Sequence, residues 1–135
     1  MRGILLLVTG CLLASCANVP PAPERTASKQ REFDQLLADK VAGPPVSCLP
    51  RYRSNDMVVI DERTLAFKDG SRRVYVNQMQ GGCGNLGGPY TLVTKTYGNG
   101  ELCRGDIGQV VDLHSHFTVG SCVFGDFVPY ARPGA

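Results

Sequence analysis

Apolar residues follow different spacings in different parts of the chain. From Ile4 to Leu13 they run almost unbroken. Between Phe33 and Val41 they recur at helical spacing, and from Val46 onward they alternate with polar residues. The first run follows Met1-Arg2 and has about the length of a secretory apolar region, too short to span a bilayer as a mature helix. In the second stretch, Phe33, Leu36, Leu37 and Val41 share one face of a helix expected over 28–42. Ser28 is positioned to cap it, and Gly43 with Pro44-Pro45 stops it. A helix this short is marginal alone and must dock on a domain or a partner.

The alternating part predicts short strands over 47–52, 57–61, 64–68, 72–78, 90–97, 101–104, 107–113 and 117–127. Asp69-Gly70 is the clearest hairpin signal. Val74 and Val76 fall on one face of their strand, with Arg73, Tyr75 and Asn77 on the other. The strands at 57–61, 64–68 and 72–78 form a meander. Gln80 to Pro89 breaks the alternation with five glycines in ten residues, a loop needing several positive φ angles. Phosphate cradling is the functional alternative for this loop, but it lacks Lys and matches no phosphate-binding spacing. Val128 to Ala135 is expected to fray. The fold class is mainly β: a small disulfide-stapled roll or barrel of about seven or eight short strands with one N-terminal amphipathic helix. An open sandwich is the alternative.

Sixteen Gly, nine Pro and no Trp suit a turn-rich β protein. The formal charge of +2 is no footprint for nucleic acid. Leu13-Ala14-Ser15-Cys16 closes the apolar leader with small residues before a thiol. It resembles the lipobox of bacterial lipoproteins, which implies a signal peptide over 1–15 and lipid on Cys16. Val8-Thr9-Gly10-Cys11 is a rival box that leaves too short an apolar region. Residues 16–27 then read as a Pro-rich tether, the β-rich domain as 46–128 and the tail as 129–135. Ala17, not Asp, follows the cysteine, which by resemblance to the general sorting rule favours the periplasmic side of the outer membrane. With Cys11 removed and Cys16 lipidated, Cys48, Cys83, Cys103 and Cys122 remain for two disulfides. Three pairings are open. Cys48–Cys122 with Cys83–Cys103 is preferred, because it ties the first strand to the last and pins the glycine loop. A four-cysteine zinc site does not fit the spacings.

The order Cys48, Val58-Val59-Ile60-Asp61-Glu62-Arg63-Thr64-Leu65, Val74-Tyr75-Val76-Asn77, Cys83, Leu86, Leu102-Cys103-Arg104-Gly105-Asp106-Ile107 and Gly120-Ser121-Cys122-Val123-Phe124-Gly125-Asp126-Phe127 carries a resemblance. It resembles a family of small extracytoplasmic proteins of unknown function from Gram-negative bacteria, over about 48–127. The resemblance implies one compact β-rich domain and no catalytic residues.

Asp112, His114 and His116 are the candidates for chemistry. In an extended strand they share a face, and a carboxylate with two imidazoles suits zinc or acid/base work. The competing and favoured reading makes 114–116 a polar turn. Arg104-Gly105-Asp106 spells an integrin-type tripeptide but reads better as a tight turn. Arg51, Arg53, Arg72 and Arg73 with Tyr52 and Tyr75 form either a patch for an acidic glycan or lipid head group, or a solvated sheet face. No Ser-His-Asp order with a nucleophile motif occurs, and pairing leaves no free thiol. The expected function is therefore an envelope lipoprotein, a non-enzymatic binding or interaction module held to the membrane through Cys16. Its partner is an envelope protein or a glycan, and no cofactor or nucleic acid is expected. A small metal-dependent or acid/base enzyme using Asp112, His114 and His116 is the alternative. A purely structural bead is the third class. Histidines splayed at an exposed turn favour the module; rings converging in a concavity favour the enzyme.

Overall fold

A computed structural model describes residues 25–50, 56–96 and 100–134. The leader, Cys16, most of the tether, Arg51, Tyr52, Arg53 and the expected turn at Gly98-Asn99 lie outside the described residues. Among the described residues one helix, α1 (Ala27–Leu37), precedes ten strands. They are β1 (Val41–Ala42), β2 (Cys48–Leu49), β3 (Met57–Asp61), β4 (Thr64–Asp69), β5 (Arg73–Gln78), β6 (Tyr90–Thr94), β7 (Leu102–Cys103), β8 (Ile107–Asp112), β9 (Thr118–Val123) and β10 (Phe127–Ala131). They form a five-stranded sheet in the order β1-β10-β5-β4-β3, a three-stranded sheet β6-β8-β9 and a β2-β7 pair. All pairings are antiparallel, and no barrel closes among the described residues.

The meander β3-β4-β5 follows from alternation and from the Gly70 turn, where φ is 65°. Both faces of this sheet are covered. On one, α1 lays Phe33, Leu36 and Leu37 over Ile60, Ala66, Val74 and Val76. On the other, Leu65, Phe67 and Tyr75 meet Leu92, Val110, Cys122, Phe124 and Phe127. Phe67, Phe124 and Phe127 pack with ring centroids 5.8–6.5 Å apart. Asn77 therefore lies inside, although its polarity suits solvent. Its amide donates to the Gly125 carbonyl at 2.8 Å and accepts from the Gly125 N–H at 3.1 Å, satisfying the corner between β9 and β10. A Cβ on Gly125 would collide with the Gln78 carbonyl.

The structure corrects three expectations. The helix starts and stops earlier than 28–42. Thr26, not Ser28, caps it by accepting the Lys29 N–H at 3.3 Å. The helix ends at Leu37, and Val41 pairs with Ala131 instead of extending the helical face. From Val128 to Ala131 the chain is not frayed: β10 lies between β1 and β5 in the main sheet. Pro129 is tolerated in this interior strand because its carbonyl points away from β5 and accepts the Gly43 N–H at 2.7 Å. A residue's N and O face the same side of a strand, so the missing donor costs no bond to β5.

The third correction is the disulfide pairing: Cys48 joins Cys103, and Cys83 joins Cys122. The first strand carrying a cysteine, β2, pairs with β7 and not with the last strand, so Cys103 stands directly opposite Cys48. Cys122 faces inward from β9 beside the glycine loop and reaches Cys83. The loop is pinned as expected, but to β9.

Candidate functional site

The outer face of β6-β8-β9 lies open, while its inner face seals the core. Leu92, Gly108, Val110 and Cys122 point inward and are buried; Val93, Ile107, Gln109 and Ser121 point outward and are exposed. This inverts the simple rule in β8, where glycine is inside and isoleucine outside. The reason is space. A Cβ on Gly108 would approach Leu92 Cδ1 to 2.8 Å, Phe124 Cε2 to 3.2 Å and Cys122 Sγ to 3.3 Å. Only glycine lets the strand press that close to the core.

Val93, Lys95, Gly105, Ile107 and Gln109 line a shallow cleft of about 280 Å³ on this face. The cleft floor is set by the turn before β8. Gly105 adopts a φ of 91°, and the Asp106 carboxylate accepts the Cys103 N–H at 2.7 Å. Arg104 is held aside by Asp126 at 3.1 Å. Arg104-Gly105-Asp106 is thus a structural turn. The cleft offers two apolar side chains, an ammonium and an amide. It can hold an apolar body with a polar or anionic end, and among the described residues its lining holds no carboxylate, hydroxyl or thiol. The sequence signal for it was Gly108 inside a strand, a mark of close backbone approach.

At the far end of the same sheet the β8-β9 turn carries Asp112, His114 and His116. The Asp112 carboxylate accepts the backbone N–H groups of His114 and Ser115 at 2.7 and 2.9 Å. The Ser115 N–H, then that of His114, hold its carboxyl below the ordinary carboxylate range. His114 Nδ1 lies 4.0 Å from it, and the His114 side chain is 86 % exposed. His116 takes a left-handed φ of 61° to close the turn. The three side chains do not bring their ligand atoms together, and they sit on an exposed turn.

Among the described residues, Cys48, Glu101 and Cys103 do converge, but the two sulfurs are bonded to each other. In the glycine loop Gly81, Gly82, Gly87 and Gly88 take the positive φ that the sequence requires, and the Cys83 N–H is engaged by the Glu62 carbonyl at 2.6 Å. Arg73 stands 3.9 Å from Asp69 and 3.5 Å from the Tyr75 hydroxyl, beside a second groove of about 240 Å³. No family model matches the chain, and no curated protein or solved structure matches it.

Proposed function

We propose that the chain is an envelope lipoprotein whose disulfide-stapled β domain is a non-enzymatic binding module. In this reading Cys16 carries the lipid, the tether holds the domain at the outer membrane, and the partner is an envelope protein or a glycan. The observation that carries the module over the enzyme is the state of Asp112. Its carboxylate is already engaged by two backbone donors on an exposed turn, and although His114 Nδ1 comes within 4.0 Å of it, the three side chains do not converge as a ligand set. A catalytic metal with an open position needs three convergent protein ligands. The open cleft lined by Val93, Lys95, Ile107 and Gln109 supports binding instead. The lipobox at 13–16 supports the anchor, and two disulfides fit an oxidising compartment.

The test is intact mass of the native membrane-extracted protein before and after reduction, with elemental analysis of the same sample. The expected product begins at an acylated Cys16, gains four hydrogens on reduction and holds no stoichiometric metal. A mass that retains residues 1–15 overturns the anchor. Bound zinc that disappears in His114→Ala overturns the module in favour of the enzyme.

A further inference from the structure

The β8-β9 hairpin ends in a cluster of apolar side chains that the fold leaves uncovered. Phe117 is 74 % exposed, Leu113 54 % and Val119 43 %. The stretch from Leu113 to Val119 contains no Lys, Arg, Asp or Glu, only two histidines, a serine and a threonine beside the apolar residues. Adjacent Asp112 turns its carboxylate back onto the hairpin's own backbone. Water gains little from such a tip, whereas an interface of lipid head groups and acyl chains would take up its apolar side chains favourably.

The position of the tip relative to the start of the domain singles out the occupant. Arg25 is fastened to Asp61 at 2.7 Å and to Thr64 at 3.2 Å, at the β3-β4 turn. The next residue of that turn, Glu62, accepts the Cys83 N–H, and the Gly84 carbonyl lies 3.7 Å from where a Cβ on Gly120 in β9 would stand. These contacts step from the first described residue to the base of the apolar hairpin, so both lie at one end of the domain. Val41 lies at the other end, where β1 meets the last residues of β10. Between Cys16 and Arg25 an extended chain spans at most roughly 30 Å. A lipid on Cys16 therefore tethers the domain by this end, and the Val41 end is the farther of the two from the attachment point.

We propose that the β8-β9 hairpin, through Leu113, Phe117 and Val119, is a second membrane contact that seats in the lipid interface beside the anchor. The inference rests on lipidation of Cys16. The lipid on Cys16 anchors the chain but leaves the domain free to turn on its tether; a second contact at the hairpin fixes the orientation of the domain. The cleft at Lys95, at the opposite end of β8, is then turned away from the bilayer and stays open to a partner.

The chain has no tryptophan, so one substitution makes a unique reporter. The full, acylated protein carrying Phe117→Trp is reconstituted into vesicles of phosphatidylethanolamine and phosphatidylglycerol with brominated acyl chains. Leu113→Trp serves as a second reporter and Val41→Trp as the control at the opposite end. The hairpin reporters should be quenched about twofold with blue-shifted emission, and the control should not. Acylated protein that floats with the vesicles while the hairpin reporters stay unquenched overturns the hairpin contact and leaves the anchor standing. Equal quenching of the control also overturns it. Protein without an acyl group on Cys16 overturns the anchor, and this inference with it.

Discussion

Asp61 and Asp112 show how one residue type does different work in different surroundings. Burial raises the Asp61 carboxyl, but the Arg63 N–H, the Arg25 guanidinium, the Thr64 hydroxyl and the Arg25 charge outweigh it and hold the group below its usual range. Arg25 also lies over the Phe33 ring at 4.5 Å, so one side chain ties the helix start to the sheet. A depressed carboxyl stabilises the fold above its unfolded value, near pH 3.9, and the contribution fades as pH falls through the folded value. Urea unfolding from pH 7 to pH 3 should therefore show stability falling at the acid end, and less steeply in Arg25→Met. Asp112 is unaffected by that change and cancels in the difference. Superimposable profiles would remove Arg25 from the account. Asp61 was legible in the sequence only as the last residue of a strand; its partner stands 36 positions away.

Among the elements, β10 departs most from its sequence. Phe127 reads as the end of the strand over 117–127, but Val128, Pro129, Tyr130 and Ala131 carry a proline and adjoin a Gly-containing end, so local rules read these four as fraying. The strand nevertheless fills the gap between β5 and the start of the domain, with five register pairs to β5. Its backbone groups complete those of β5, and Phe127 is fully buried. A chain ending at Val128 should lose the tertiary signals of its near-ultraviolet circular dichroism and gain rapid amide exchange in β5. Retention of protection in β5 would contradict the interior placement. The helix and the meander, in contrast, were readable, because 3.6-residue and two-residue periods are properties of neighbouring residues. The cleft was not, since exposed Ile107 and buried Gly108 follow from how β8 approaches Leu92 and Phe124.

At the scale of the molecule, one disulfide staples the paired strands β2 and β7, and the other ties the glycine loop to β9. Cys48–Cys103 closes 55 residues and Cys83–Cys122 closes 39. The chain-entropy model assigns each about 4 kcal/mol before strain. The double variant Cys83→Ala/Cys122→Ala should lose roughly that amount in denaturant unfolding, and a non-reducing peptide map should link the Cys48 and Cys103 peptides. A Cys48–Cys122 peptide would refute the arrangement. The sequence by itself determined a β-rich chain with one amphipathic helix, a three-strand meander, a pinned glycine loop and four cysteines available to pair, because alternation and turn chemistry act between neighbours and parity is a count. Only the tertiary structure decided which cysteines meet, that the last strand is interior, that Asn77 is buried, and that Asp112 serves its own turn. The first three depend on residues distant in the chain, whose approach is settled by the packing of two sheets around Phe67, Phe124 and Phe127 and of the helix on the other face of the main sheet.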